Sequence, residues 1–199
     1  MGREIGVYPE TKHPTYFRNL TLDLETPLVR AVKGAGLDKA SSPVFIQSFE
    51  LKNLVRLRTQ YRVKDRLVFL TSATGNPWND DRSYAYLTSP AGLRIVARTA
   101  NGIGPDKIQV IGRDAAGNLL PTPTNLVRDA HRAGLLVHPY TFRAENQFLP
   151  TDYRTGTDPN AYGRILAEMT AYLTAGVDGF FTDQADIGVL ARNTFVESR

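Results

Sequence analysis

Short, continuous apolar runs alternate with amphipathic segments along this chain. The runs at Glu4–Tyr8, Val44–Ser48, Leu67–Thr71, Gly102–Gly104, Leu135–Tyr140 and Gly179–Thr182 show no polar alternation. Strands buried on both faces of a parallel sheet read this way. Between them the apolar spacing shifts to the helical period. Helices are predicted over Leu22–Ala35, closed by Gly36, over Glu50–Tyr61, and over Ala91–Arg98. Another is predicted over Asn125–Ala133, with Thr124 as N-cap and Gly134 as terminator. Asp158-Pro159 reads as the N-cap and N1 proline of a helix running to Gly176, and Asp183 as the cap of a last helix over Ala185–Arg192. Strands recur at roughly 30 to 40 residues, the size of a βαβ unit. The expected fold class is therefore α/β, a parallel sheet with right-handed crossovers. Six strands suffice for an open sheet; a closed eight-stranded barrel needs more.

Two long segments, Ser72–Pro90 and Arg143–Asn160, follow strand carboxyl ends and carry aromatics, Trp78, Phe148 and Tyr153 among them. Long aromatic loops in such places read as lids or as ordinary surface insertions. Side chains alternate across a strand, so Tyr8, Glu10 and Lys12 share one face if the first strand continues. Phe45, Gln47 and Phe49 form a second set, and His138 and Tyr140 a third. On spacing alone, Glu10 and Lys12 read either as an ion pair at a strand end or as a carboxylate for a hard metal beside an ammonium for a phosphate oxygen.

Composition narrows these readings by exclusion. No cysteine is present, so disulfides, thiolate metal sites and a cysteine nucleophile drop out. The three histidines are not spaced as a metal motif, and neither His13 nor His131 stands out from a surface histidine. No glycine-rich phosphate loop and no serine elbow occurs. The net charge of +4 suits a small anionic substrate. The basic stretch Lys52, Arg56, Arg58, Arg62, Lys64 and Arg66 is interleaved with Leu51, Leu54, Val55 and Leu57, which reads as a solvated helix face rather than a nucleic-acid surface. No apolar run reaches the roughly 20 residues of a membrane span, and the chain start has no signal-like apolar region. At 199 residues, length favours one domain, 1–199.

Five blocks occur in order: Val7-Tyr8-Pro9-Glu10-Thr11-Lys12 followed by Pro14, Val44-Phe45-Ile46-Gln47-Ser48-Phe49, the stretch Ala100–Asp106, the stretch Leu136–Arg143, and the stretch Ala175–Asp183. Together they resemble the glycerophosphodiester phosphodiesterases, most closely the bacterial periplasmic type, across nearly the whole chain. The resemblance implies a TIM (β/α)8 barrel with its site at the strand carboxyl ends. It implies metal-dependent hydrolysis of glycerophosphodiesters to glycerol 3-phosphate and an alcohol, a step of glycerophospholipid degradation. The metal expected is a divalent cation, calcium first and magnesium the alternative. By the same resemblance Glu10 would ligate that metal and Lys12 would face the phosphoryl oxygens. Phe49 and Tyr140 fall on pocket-lining positions, Gln47 and His138 share their strand ends, and Trp78 joins them through the lid reading.

The family's first strand with His-Arg-Gly, its Glu-x-Asp strand and its second histidine have no counterpart in these residues. The barrel is therefore expected to be incomplete, about six of eight βα units, the third to the eighth, and the chain inactive alone. Two alternatives stand beside this. One is a non-catalytic degenerate barrel binding a phosphodiester or a protein partner; the other is one half of a split enzyme, completed by an N-terminal fragment. A periplasmic or secreted location would follow if the full-length protein carries a signal.

Overall fold

The computed structural model describes residues 5–198, so Glu4 of the first expected strand lies outside the described residues. The chain divides into two compact units. The first comprises residues up to Ile103 together with Ala133–Leu135, and the second Gly104–Arg132 with the residues from Leu136 onward.

The first unit runs α1 (Pro14–Asn19), α2 (Glu25–Gly34), β1 (Phe45–Ser48), α3 (Leu51–Thr59), β2 (Arg66–Thr71), α4 (Tyr84–Leu87), α5 (Pro90–Val96) and the start of β3 (Gly102–Pro105). β1 and β2 are parallel, with Phe45 opposite Arg66 and Ser48 opposite Phe69. Parallel bridges Val7↔Val44 and Glu10↔Gln47 lay the N-terminal segment beside β1. Ile46, Leu54, Leu57, Leu67, Phe69, Leu93 and Val96 are fully buried between strands and helices. Each such side chain contributes roughly 1.5–3 kcal/mol of burial. Leu51, Leu54 and Leu57 recur every three residues and stack on one stripe of α3; Val55 falls off that stripe and stays exposed. α2 ends at Gly34 with Ala35 as its C-cap, and the expected terminator Gly36 follows at φ +70°.

The second unit holds the end of β3, α6 (Lys107–Val110), α7 (Leu126–Arg132), β4 (Leu136–Val137), α8 (Ile165–Thr174) and α9 (Ala185–Glu197), with 3-10 turns at Asn146–Phe148 and Thr151–Tyr153. Bridges Asp106↔Tyr140 and Phe142↔Thr182, both parallel, continue the ladder. Val137, Phe142, Leu149, Met169 and Tyr172 form its core.

Four expectations change. Among the described residues, the first and last expected strands pair through single bridges. The helix expected from Asp158 begins at Ile165, because the Asp158 carbonyl and Asn160 are spent on a loop: Asn146 Nδ2 donates to Asp158 O (2.8 Å). Asp183 does not cap α9, since its carboxylate takes Arg143 Nε at 2.6 Å. Nor are all basic residues around α3 solvated. Arg58 reaches into loop carbonyls, Asp65 O at 3.2 Å among them, and the Arg66 guanidinium lies 4.1 Å over the Phe45 ring.

Candidate active site

Three rungs place the N-terminal chemistry. Backbone bonds Phe45 N to Val7 O (3.1 Å), Gln47 N to Pro9 O (2.9 Å) and Thr11 N to Gln47 O (3.0 Å) turn residues 7, 9 and 11 toward β1. The intervening side chains then align with those of β1. Tyr8 stacks on Phe45 at 4.9 Å. Glu10 meets Gln47 on the next rung, and Lys12 and Phe49 follow, both lining one cavity. The ion-pair reading of Glu10 and Lys12 is not realised: among the described residues neither belongs to a salt bridge. Glu10 Oε1 and Gln47 Oε1 are instead buried with no hydrogen-bond partner among the described residues. Leaving a buried oxygen so costs about 1–3 kcal/mol.

Two such oxygens have the chemistry of a hard-cation site but not its number. Calcium takes about 6–8 oxygen ligands and magnesium a full octahedron. The described residues hold no group of three or more His, Asp or Glu able to share an ion. The residues present therefore do not fit a divalent metal by themselves.

What fixes Glu10 and Lys12 is the residue between them. Thr11 Oγ1 donates to Asn53 Oδ1 (2.7 Å), and Asn53 Nδ2 donates to Glu25 Oε1 (2.9 Å). The same oxygen takes Arg18 Nη2 at 2.9 Å. Glu25 is fully buried, and burial pushes its carboxyl up while Arg18 opposes the rise. Ser48 Oγ donates to Thr11 O at 3.2 Å. Past Lys12 the chain turns sharply: His13 is left-handed (φ 51°) and Pro14 opens α1, a geometry the proline's fixed φ favours.

The cavity beside Lys12 measures about 390 Å³ and is lined by His13, Phe49, Glu50, Trp78 and Tyr84 among others. Glu50 is held by Thr15, whose N–H donates to Oε1 at 3.4 Å and whose hydroxyl donates to Oε2. The Tyr84 hydroxyl donates to Phe49 O (3.2 Å), and the two rings meet edge to face. Trp78 is 55% exposed on a braced loop. Tyr84 N donates to Gly75 O (2.9 Å), closing the loop's ends. Arg82 Nε and Nη2 donate to both oxygens of Asp80 (2.8 and 2.7 Å), and this pairing holds the Asp80 carboxyl below its usual range.

In the second unit Tyr140 lines a cavity of about 260 Å³ with Asp106, Lys107, Arg143 and Phe148. Lys107 is no free cation: its Nζ lies 2.7 Å from the buried Glu168 carboxylate and also donates to Phe148 O. Burial pushes the Lys107 ammonium down and the Glu168 carboxyl up, and each counters the other's shift. Arg143 is paired with Asp183 and lies 4.7 Å over the Phe148 ring. His138 packs on Gly179, where an added Cβ would sit 3.2 Å from the ring. His131 is an exposed helix residue, 2.9 Å from Asp178.

The structure thus brings Lys12, Phe49 and Trp78 to one cavity, sets Glu10 against Gln47, and puts Tyr140 in a second cavity whose lining omits His138. His13, Glu50 and Tyr84 line the first cavity without having been singled out. Glu50 was readable only as the start of a helix, and Tyr84 only as one loop aromatic among several.

Known proteins agree with the blocks. The glycerophosphoryl diester phosphodiesterase family matches residues 1–187. A glycerophosphodiester phosphodiesterase of Arabidopsis thaliana is 34% identical over 194 residues, covering 91% of this chain and 49% of its own. That of Haemophilus influenzae is 28% identical over 206 residues, covering 94% and 52%. The chain therefore spans about half the length of these relatives. A solved glycerophosphodiester phosphodiesterase from Parabacteroides distasonis superposes with a TM-score of 0.56 at 16% identity, over 98% of this chain and 58% of its own. That likeness speaks to the fold alone; with the family match it implies a TIM barrel, in keeping with the parallel α/β ladder. The chain belongs to the glycerophosphoryl diester phosphodiesterase family.

Proposed function

We propose that this chain supplies the Glu10–Lys12 portion of an active site that hydrolyses glycerophosphodiesters to glycerol 3-phosphate and an alcohol, in glycerophospholipid breakdown. The observation that carries the reading is the pair of adjacent rungs: two unpartnered buried oxygens, then an ammonium with no salt bridge among the described residues, opening on a cavity. Lys12 would neutralise charge on the phosphoryl oxygens, where a positioned cation acts most strongly as charge develops. Phe49 and Trp78 would wall the alcohol side, and Gln47, at the same strand end as Phe49, would contribute a further substrate contact. In the second unit Tyr140, with His138 on the same strand end, would contribute further substrate contacts.

Glu10 would serve as one ligand of a divalent cation, calcium or magnesium, completed by groups that the described residues do not hold. The incomplete ligand set favours a second reading within the same class: a barrel of about six βα units that works with a complementing segment and is inactive alone. A periplasmic or secreted location goes with the proposal if the whole protein carries an export signal; among the described residues no helix is long and apolar enough to cross a membrane.

Phosphorus NMR of glycerophosphocholine with added chain tests the placement of the phosphate. Saturable broadening or shift of the resonance is expected, weakened about 10-fold or more by Lys12→Met, in line with loss of a charged contact. Binding that ignores Lys12 would refute the assignment.

A further inference from the structure

Lys12, His13 and Glu50 all line the cavity described above, and together they set its charge. With the His13 ring neutral, the Lys12 ammonium and the Glu50 carboxylate cancel. With the ring protonated, the lining carries one net positive charge. We propose that His13 is a pH gate on this cavity, which therefore holds a phosphodiester anion more tightly in mild acid than in mild base. This rests on the placement of the phosphate beside Lys12 and deepens it.

The effect does not depend on where in the cavity the anion lies. At about 390 Å³ the cavity is comparable in width with the ~8 Å screening length at physiological salt. An anion within it senses the sum of the lining charges. Tyr84 is the other ionisable group of the lining; phenols ordinarily titrate near 10, and its hydroxyl donates to Phe49 O. Ser72, Thr74 and Asn76 are uncharged and treat the anion alike at any pH.

The charged groups of the neighbouring elements are already engaged or in solvent. On α1, Arg18 pairs with Glu25 at 2.9 Å. At the start of α3, Lys52 donates to Asn79 O. On the loop that follows β2, Arg82 pairs with Asp80, and Asp81 is exposed. The His13 ring makes no capping bond to α1 and joins no ion pair among the described residues. Its place is nonetheless fixed. Glu50 takes the Thr15 N–H at 3.4 Å and the Thr15 hydroxyl, and Pro14 lies between, so the left-handed backbone of His13 (φ 51°) is held from beyond it. Such backbone persists where its surroundings over-determine it, as at ligand clamps. Histidine is also the side chain whose ordinary titration falls between pH 5 and 8.

Calorimetric titration of the full chain with glycerophosphocholine at about pH 5.5 and about pH 8, either side of the histidine range, tests the gate. A phosphodiester keeps one negative charge across that range, so a change in affinity belongs to the protein. At equal ionic strength, wild type is expected to bind about 5-fold more tightly at the lower pH. His13→Asn, which tolerates a left-handed backbone, should bind alike at both, at the weaker wild-type level. His13→Lys should bind alike at both, at the tighter level; a thermal melt at each pH confirms that the variants are folded. Equal wild-type affinity at the two pH values, or a folded His13→Asn variant that keeps the gap, overturns the gate. If Lys12→Met then still weakens binding, the phosphate placement survives that failure. If the gap follows His13 but binding ignores Lys12, the gate stands and the lysine assignment fails. Absence of binding at both pH values overturns both.

Discussion

Two nitrogens of Arg82 meet both oxygens of Asp80, and through them a solvent-facing tryptophan gains a fixed address. A bidentate fork of this kind is stronger than most surface ion pairs, although Arg82 is partly exposed, which limits its worth. Asp80→Asn should cost about 1 kcal/mol in urea unfolding at neutral pH. The sign with pH is fixed by the lowered Asp80 pKa. Its stabilisation is present above the ordinary carboxylate pKa of about 3.9 and fades as pH falls through the lower folded value. The gap between wild type and Asp80→Asn should therefore close in acid, and a gap that widens there would contradict the pairing. At this scale the sequence pointed to residue types. Glu10, Lys12 and Phe49 stood out from alternation and blocks, and Trp78 from its long aromatic loop, but partners distant in sequence did not. Nothing local distinguishes Lys12, which enters no salt bridge among the described residues, from Lys107, whose charge is spent on Glu168 sixty-one positions away.

Four elements converge on one buried carboxylate: α1 through Arg18, α2 through Glu25 itself, α3 through Asn53, and the N-terminal segment through Thr11. This relay holds Glu10 and Lys12 on their rungs without touching either. Asn53→Leu removes the better acceptor of the Thr11 hydroxyl, which keeps Gln47 O at 3.4 Å, and one of the donors to Glu25 Oε1, which keeps Arg18; a loss of about 1–2 kcal/mol is expected in chemical denaturation. A loss below half a kcal/mol would show that the relay carries no strain-free positioning role. Strand and helix order was legible because buried parallel strands and amphipathic helices leave different periods. Boundaries were less so. Asp158-Pro159 has the composition of a helix start, yet Asn146 recruits the Asp158 and Thr155 carbonyls and the helix waits until Ile165. α1 escaped notice because six residues after a proline carry too little periodicity to register.

At the scale of the molecule, family membership comes from nearly the whole chain, while the proposed chemistry rests on a few strand ends. The chain spans about half the length of its curated relatives, and the described residues hold no group of three or more His, Asp or Glu that could share a metal ion. The blocks made the family legible, and the missing Glu-x-Asp block made a ligand shortfall legible too; that Glu10 and Gln47 each keep an unpartnered buried oxygen among the described residues appears only once side chains are placed in space. The most direct measurement is release of glycerol 3-phosphate from glycerophosphocholine in calcium buffer, by the 199-residue chain alone and after adding a segment that bears the first two barrel strands of a family member. The account predicts no release by the chain alone, release by the complemented pair, and loss of that release with Lys12→Met. Turnover by the chain alone, or undiminished turnover by the complemented Lys12→Met variant, would contradict it.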